Sequence, residues 1–169
     1  MNPDETALLQ QLLRQQKVAA LATLHRGEPA VSMVPFVLLP ECGSALVHVS
    51  RLATHSKDML EHPAVALLFM AESQANSQAD DNPLARPRLS LKGRALPCPV
   101  DSPRYAAARV AYLERLPEAQ ELFAFPDFSL FLIEPLSARF VAGFGRAYAL
   151  TAERWRAVLA PTTASAAGN

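Results

Sequence analysis

A chain of 169 residues fits one ordinary domain and can bury about 70% of the surface its unfolded form exposes. Sixteen Lys and Arg balance sixteen Asp and Glu, so no overall field draws nucleic acid or an anionic membrane, and any anion recognition has to be local. The longest apolar run, Ala64 to Ala71, is far short of the roughly 20 residues that span a bilayer. The N-terminus has no basic stretch followed by an apolar one, and Cys42 and Cys98 form no CxxC pair, which together predict a soluble, cytoplasmic protein with reduced thiols.

The first segment predicts a helix, with Asp4 able to cap it and Leu8, Leu9, Leu12 and Leu13 on one face. Val18 to Leu24 is apolar and partly β-branched, His25 to Pro29 supplies turn residues, and Ala30 to Leu39 resumes, which predicts a hairpin. Pro35, inside the second strand, cannot donate to a ladder; that position must be an edge, a bulge or a place where a ligand replaces a neighbouring strand. Ala45 to Ser50 is a third strand, with Leu46, His48 and Ser50 on one face and Val47 and Val49 on the other. A short helix capped by Thr54 and ended by Pro63 follows, and the unbroken apolarity of Val65 to Met70 predicts a strand buried on both faces.

Residues 71–87 are polar and aperiodic and predict a long mobile loop. Arg88 to Leu96 alternates as a half-buried strand, Ser102 and Pro103 open an alanine-rich helix through Leu116, and Pro117 starts another short one. Phe128 to Glu134 and Ala138 to Tyr148 are two more strands, the second with Gly143 and Gly145 marking a bulge or a close approach. A final helix begins at Thr151, with Ala152, Trp155, Val158 and Leu159 on one face. Seven strands that do not alternate with helices as βαβ units do predict an antiparallel β-barrel with peripheral helices, one domain over residues 1–160, and a flexible tail over 161–169.

Ser50 to Lys57 runs from a strand end into a helix start. Free amides at residues 55–57, the helix dipole, Thr54, Ser56 and Lys57 together describe a phosphate site; a plain capped helix with solvated Arg51 and Lys57 is the other reading of the same residues. No GxGxxG, GxxxxGKS, GxSxG or HExxH motif occurs, which leaves Rossmann, P-loop, serine-hydrolase and zinc-protease chemistry without support. His25, His48, His55 and His62 fall on separate elements and read as ordinary polar histidines, so no metal site is expected. Phe123, Phe125, Phe128, Phe131 and Phe140 read as core, whereas Phe144, between two glycines, has room to approach a planar ligand.

Five stretches in order carry a family resemblance: VAALAT (18–23), PAVSMVPF (29–36), VSRLATHSK (49–57), RLSLKG (88–93) and RFVAGFGRAY (139–148). Together they resemble the pyridoxamine 5′-phosphate oxidase-like FMN-binding split barrels, and within these the haem-utilisation branch. The resemblance implies an antiparallel split β-barrel and a homodimer with two FMN sites between subunits. Position by position it implies that Ser32, Met33, Val34 and Pro35 line the flavin, and that Val49 and Ser50 approach the ring and its tail. His55, Ser56 and Lys57 would hold the phosphate, Arg88 would reach FMN from the partner strand, and Phe140 and Phe144 would fall where the partner subunit closes over the ring system.

Two departures bear on activity. Haem-degrading members of the resembled family bind iron through a histidine near the C-terminus, and residues 161–169 contain none. The arginine- and histidine-bearing substrate end of true pyridoxamine phosphate oxidases is likewise unmatched. The expected function is an FMN-binding protein, a flavin oxidoreductase of unassigned substrate with no assigned catalytic acid or base. The alternatives are a haem-binding or haem-degrading protein, with His48, His55 or His62 replacing the tail ligand, and a cofactor-free interaction module.

Overall fold

The computed structural model describes residues 1–72 and 82–160. Helix α1 (Pro3–Gln15) leads into a hairpin of β1 (Val18–His25) and β2 (Glu28–Pro35), then β3 (Val37–Leu39) and β4 (Ser44–Ser50). Helix α2 (Thr54–Glu61) connects β4 to β5 (Ala64–Met70), which is followed by β6 (Arg88–Cys98) and α3 (Tyr105–Arg115). The chain ends with β7 (Phe128–Gly143), β8 (Arg146–Thr151) and α4 (Ala152–Leu159), and two 3-10 segments lie at Pro83–Ala85 and Pro117–Ala124.

All pairings are antiparallel, in the order β2-β1-β5-β6-β7-β4-β3, with β8 on β7. The long β7 pairs with β4 through residues 128–133 and with β8 through 137–143, while β6 runs beside it throughout. Among the described residues no ladder joins β2 to β3, so the sheet curls into a barrel that stays split. A register shift between Lys92 and Gly93 makes the bend. Glycine is required there because a Cβ on Gly93 would stand 2.7 Å from both the Glu134 carbonyl oxygen and Ile133 Cγ2. The two-residue β1–β2 turn puts Arg26 at φ 53° and Gly27 at φ 86°, the left-handed pair that matches strand twist.

Two cores result. Leu9, Leu12 and Leu13 of α1, Phe36, Phe69, Phe131 and Phe140 from the barrel, and Trp155 of α4 form the first; Leu46, Cys98, Tyr112, Leu116 and Leu130 form the second, beneath α3. β4 separates them, sending Val47 and Val49 into one and Leu46 into the other, as its alternation predicts.

Several expectations need correction. Asn2, not Asp4, caps α1, because its side chain accepts from the Glu5 amide while Glu5 accepts from the Asn2 amide in return. The second strand stops at Pro35 and restarts at Val37, and α3 starts at Tyr105 after a turn through Ser102. β5 is buried on one face only, through Val65, Leu67 and Phe69. The two C-terminal strands are one 16-residue strand followed by β8, and Gly143 and Gly145 flank the turn between them. The predicted loop includes the Pro83–Ala85 turn, and its remainder at 73–81, like the tail at 161–169, lies outside the described residues.

Candidate functional site

Strand alternation divides the β1–β2 hairpin into two chemically different faces. Ala19, Leu21, Thr23 and His25 of β1 point inward, while Val18, Ala20, Ala22 and Leu24 point outward. The register places Val18 opposite Pro35, Ala20 between Met33 and Leu68, and Ala22 between Val31 and Ala66. Val31 is 71% exposed and Met33 66%, and Leu24, Leu68 and Met70 are exposed beside them. These side chains form one contiguous apolar patch over three strands, β2, β1 and β5. On the next strand, Arg88, Ser90, Lys92 and Arg94 alternate outward, and Arg139 of β7 stands opposite Ser90. Lys92, Arg94 and Arg139 have no ion-pair or hydrogen-bond partner among the described residues. The face is thus apolar on β2, β1 and β5 and cationic on β6 and β7, with Glu134 the carboxylate opposite Arg94.

Beneath this sheet, α2 packs on the inward side of the hairpin, and a polar cluster forms between them. Asp58, 2% exposed, accepts from Thr23 Oγ1 at 2.8 Å and from His25 Nδ1 at 2.8 Å. Burial alone would raise the Asp58 carboxyl, but the hydrogen bonds from His25 and Thr23 and the nearby imidazoles of His25 and His55 outweigh it and hold the group below its ordinary value. His55 pairs Nδ1 with Ser32 Oγ at 3.1 Å, while its Nε2 is buried without a partner. Burial lowers the His55 pKa, and the Asp58 charge opposes that shift.

The expected site residues are therefore distributed as follows. Ser32, Met33, Val34 and Pro35 alternate and cannot all present side chains to one ligand: Met33 and Pro35 face out, Ser32 faces α2, and Val34 is in the barrel core. Val49 is core, and the Ser50 hydroxyl donates to Asp127 at 2.6 Å. Thr54 is the first helical residue and not a cap, since Ala53 occupies that position without a side-chain bond. The amides of Ser56 and Lys57 both turn onto the Ala53 carbonyl, and the fully buried Ser56 hydroxyl donates to the Ser50 carbonyl at 2.6 Å. Of the amides at 55–57 expected to hold an FMN phosphate, those of Ser56 and Lys57 are thus bonded within the turn, and Thr54 and Lys57 are exposed at the α2 start. Arg88 donates back to the Leu84 and Arg86 carbonyls. Phe140 is 0% exposed in the barrel core, whereas Phe144 is 81% exposed on the β7–β8 turn.

Among the alternative iron ligands, His48 is 5% exposed and stacked on Phe123 at 3.9 Å, with Tyr112 and Phe128 closing round it. Its Nδ1 has no partner, and burial drives its pKa down to about 4, so it is a neutral core group with no open coordination side. The Thr23–Asp58–His25 network was missed in the sequence, although two polar residues in the inward phase of an apolar strand, two positions apart, are the signal that marks it. Among the described residues no group of three or more His, Cys, Asp or Glu gathers at metal-binding range, and no helix is long and apolar enough to cross a membrane.

An antiparallel sheet curled into a barrel that stays split, with helices packed against it, defines the class: a split β-barrel. The chain belongs to the pyridoxamine 5′-phosphate oxidase family, whose profile matches residues 6–142. It is 36% identical over 124 residues to the chloroplastic heme oxygenase HOZ of Arabidopsis thaliana, covering 73% of this chain but 35% of that one. To the heme oxygenase HutZ of Vibrio cholerae it is 29% identical over 147 residues, 86% of this chain and 80% of the relative. Among solved structures, a heme-binding protein of Mycobacterium smegmatis superposes with a TM-score of 0.79 at 30% identity over 93% of this chain and 62% of its own. The chain thus spans about a third of the Arabidopsis protein and less than two thirds of the mycobacterial one.

Proposed function

We propose that this chain binds haem as a homodimer, on the outward face of β2, β1, β5 and β6. The observation that carries the reading is the pairing of an apolar patch (Val31, Met33, Leu68, Leu24) with cations that have no partner among the described residues (Lys92, Arg94, Arg139) on one sheet face. Haem is a broad apolar plate bearing two carboxylates, which is the same division of chemistry, and the names of the Arabidopsis, Vibrio and Mycobacterium relatives support it. In this role the apolar side chains exclude water from the plate, the cations orient its acidic edge, and a second copy covers what the ligand leaves bare. When bound, haem supplies the iron centre for oxygen and redox chemistry; haem breakdown is the finer form of the proposal.

The test is titration of the purified chain with ferric haem and, in parallel, with FMN. Saturation of a perturbed Soret band at one haem per chain is expected, with the Lys92→Glu/Arg139→Glu double variant at least ten-fold weaker, a difference of about 1.4 kcal/mol or more. A free-haem spectrum throughout would remove the proposal. FMN is the second reading, favoured by the exposed Thr54 and Lys57 at the positive end of α2; saturable FMN binding lost in Lys57→Ala would establish it instead.

A further inference from the structure

We propose that the thioether sulfur of Met33 is the donor this chain offers the haem iron; the inference rests on the haem reading above and names a ligand on the same sheet face. The ladders lay that face out in rows. Met33 of β2 stands opposite Ala20 of β1, Ala20 opposite Leu68 of β5, and Leu68 opposite Ser90 of β6. The neighbouring outward row runs Val31, Ala22, Ala66 and Lys92. Strands lie about 4.8 Å apart and successive outward rows about 7 Å, so Met33 borders a low floor made by Ala20, Ala22 and Ala66, and Lys92 stands about 14 Å away across it. The methyl of Ala20 leaves room for an unbranched, three-bond side chain to lay its sulfur over β1, on the floor of the face and not at its rim.

Few other side chains on this face can serve. Its outward residues on β2, β1, β5 and β6 are apolar or cationic apart from Ser90, and only Met33 and Met70 carry a neutral, soft donor. Met70 stands opposite Arg88 and is 37% exposed, against 66% for Met33. The imidazoles lie elsewhere: His25 turns inward onto Asp58, His48 is stacked on Phe123, His55 bonds Ser32 beneath the hairpin, and His62 caps α2. Met33 also does little for its own strand, since β2 is the last strand of the sheet and this side chain is largely uncovered. A thioether is uncharged and polarizable, so it favours ferrous over ferric iron, and methionine ligation raises the potential of a haem.

The experiment titrates the parent chain, Met33→Leu, Met70→Leu and Met33→His with haem, in the ferric state and under dithionite, and measures the midpoint potential of each complex. Leucine keeps the volume and apolarity of the side chain and removes only the sulfur, and circular dichroism and sedimentation confirm that each variant keeps the fold and mass of the parent. The proposal expects Met33→Leu to hold ferric haem within about three-fold of the parent while losing about ten-fold in affinity for ferrous haem, a fall of about 59 mV in potential, with a changed ferrous spectrum. Met70→Leu should keep the parent's ferrous spectrum, and Met33→His should bind with an imidazole-type spectrum in both states. If the parent perturbs the Soret band and Met33→Leu matches it in spectrum and potential, or weakens both oxidation states equally, the ligand assignment is overturned while the haem reading stands. If the parent leaves free haem unperturbed, both are overturned.

Discussion

Acid should weaken this fold through one buried side chain. His48 lies 5% exposed against Phe123, and burial lowers its pKa from 6.5 to about 4. Between those values the unfolded chain binds a proton that the native chain refuses, so the stability present above pH 6.5 falls as the pH drops towards about 4. At 1.36 kcal/mol per pKa unit, the loss relative to neutral pH is about 2 kcal/mol at pH 5 and about 3 kcal/mol at pH 4. Phenylalanine keeps a flat ring against Phe123 and removes the titration. Urea unfolding of the parent and His48→Phe at pH 7, 6, 5 and 4 isolates the effect, since His55, Glu5 and Asp58 are common to both chains and cancel. The gap between the two should change by about 2 kcal/mol from pH 7 to pH 5 in favour of the variant. Parallel stability curves would refute the buried, neutral state assigned to His48.

Gly93→Ala should cost about 1–3 kcal/mol or more, measured by urea unfolding, because its Cβ would meet the Glu134 carbonyl oxygen and Ile133 Cγ2 at 2.7 Å. Trp155→Phe should lower stability by about 1–3 kcal/mol, since it strands the Gly43 carbonyl that the indole N–H reaches at 2.7 Å inside the core. Thr23→Val leaves one oxygen of buried Asp58 without its donor and should cost a similar amount in the same assay. Val31→Asp and Met33→Asp place charges on the outward apolar face; sedimentation should show a dimer for the parent and a monomer for the variants, and an unchanged mass would remove that face from the interface.

Alternation and turn chemistry made most of the strands legible, since Arg88–Leu96 and Ala45–Ser50 carry inward and outward phases that the barrel respects. Pro35 was likewise readable as an edge feature, and β2 does lie at a sheet end. What failed to read from sequence depends on long-range partners. Nothing local says that the apolar outward residues Leu68 and Met70 remain uncovered by this chain, so β5 looks buried on both sides. Pro135 and Leu136 look like a break, yet β7 continues through them because β6 flanks it on both sides of the Lys92–Gly93 shift. The phosphate cradle looked complete in sequence because free amides and bonded ones have the same letters; only the fold shows Ser56 and Lys57 committed to Ala53. Asp58 was similarly invisible, since its two partners are 33 and 35 residues away.

Haem binding on the amphipathic outer sheet is the function proposed for this chain. Its most direct test is the pigment the chain carries when purified from cells supplied with a haem precursor, read as a whole absorbance spectrum and as porphyrin iron per chain. A Soret band with close to one haem per chain is the predicted result. A flavin spectrum, or colourless protein from the same cells, would contradict it.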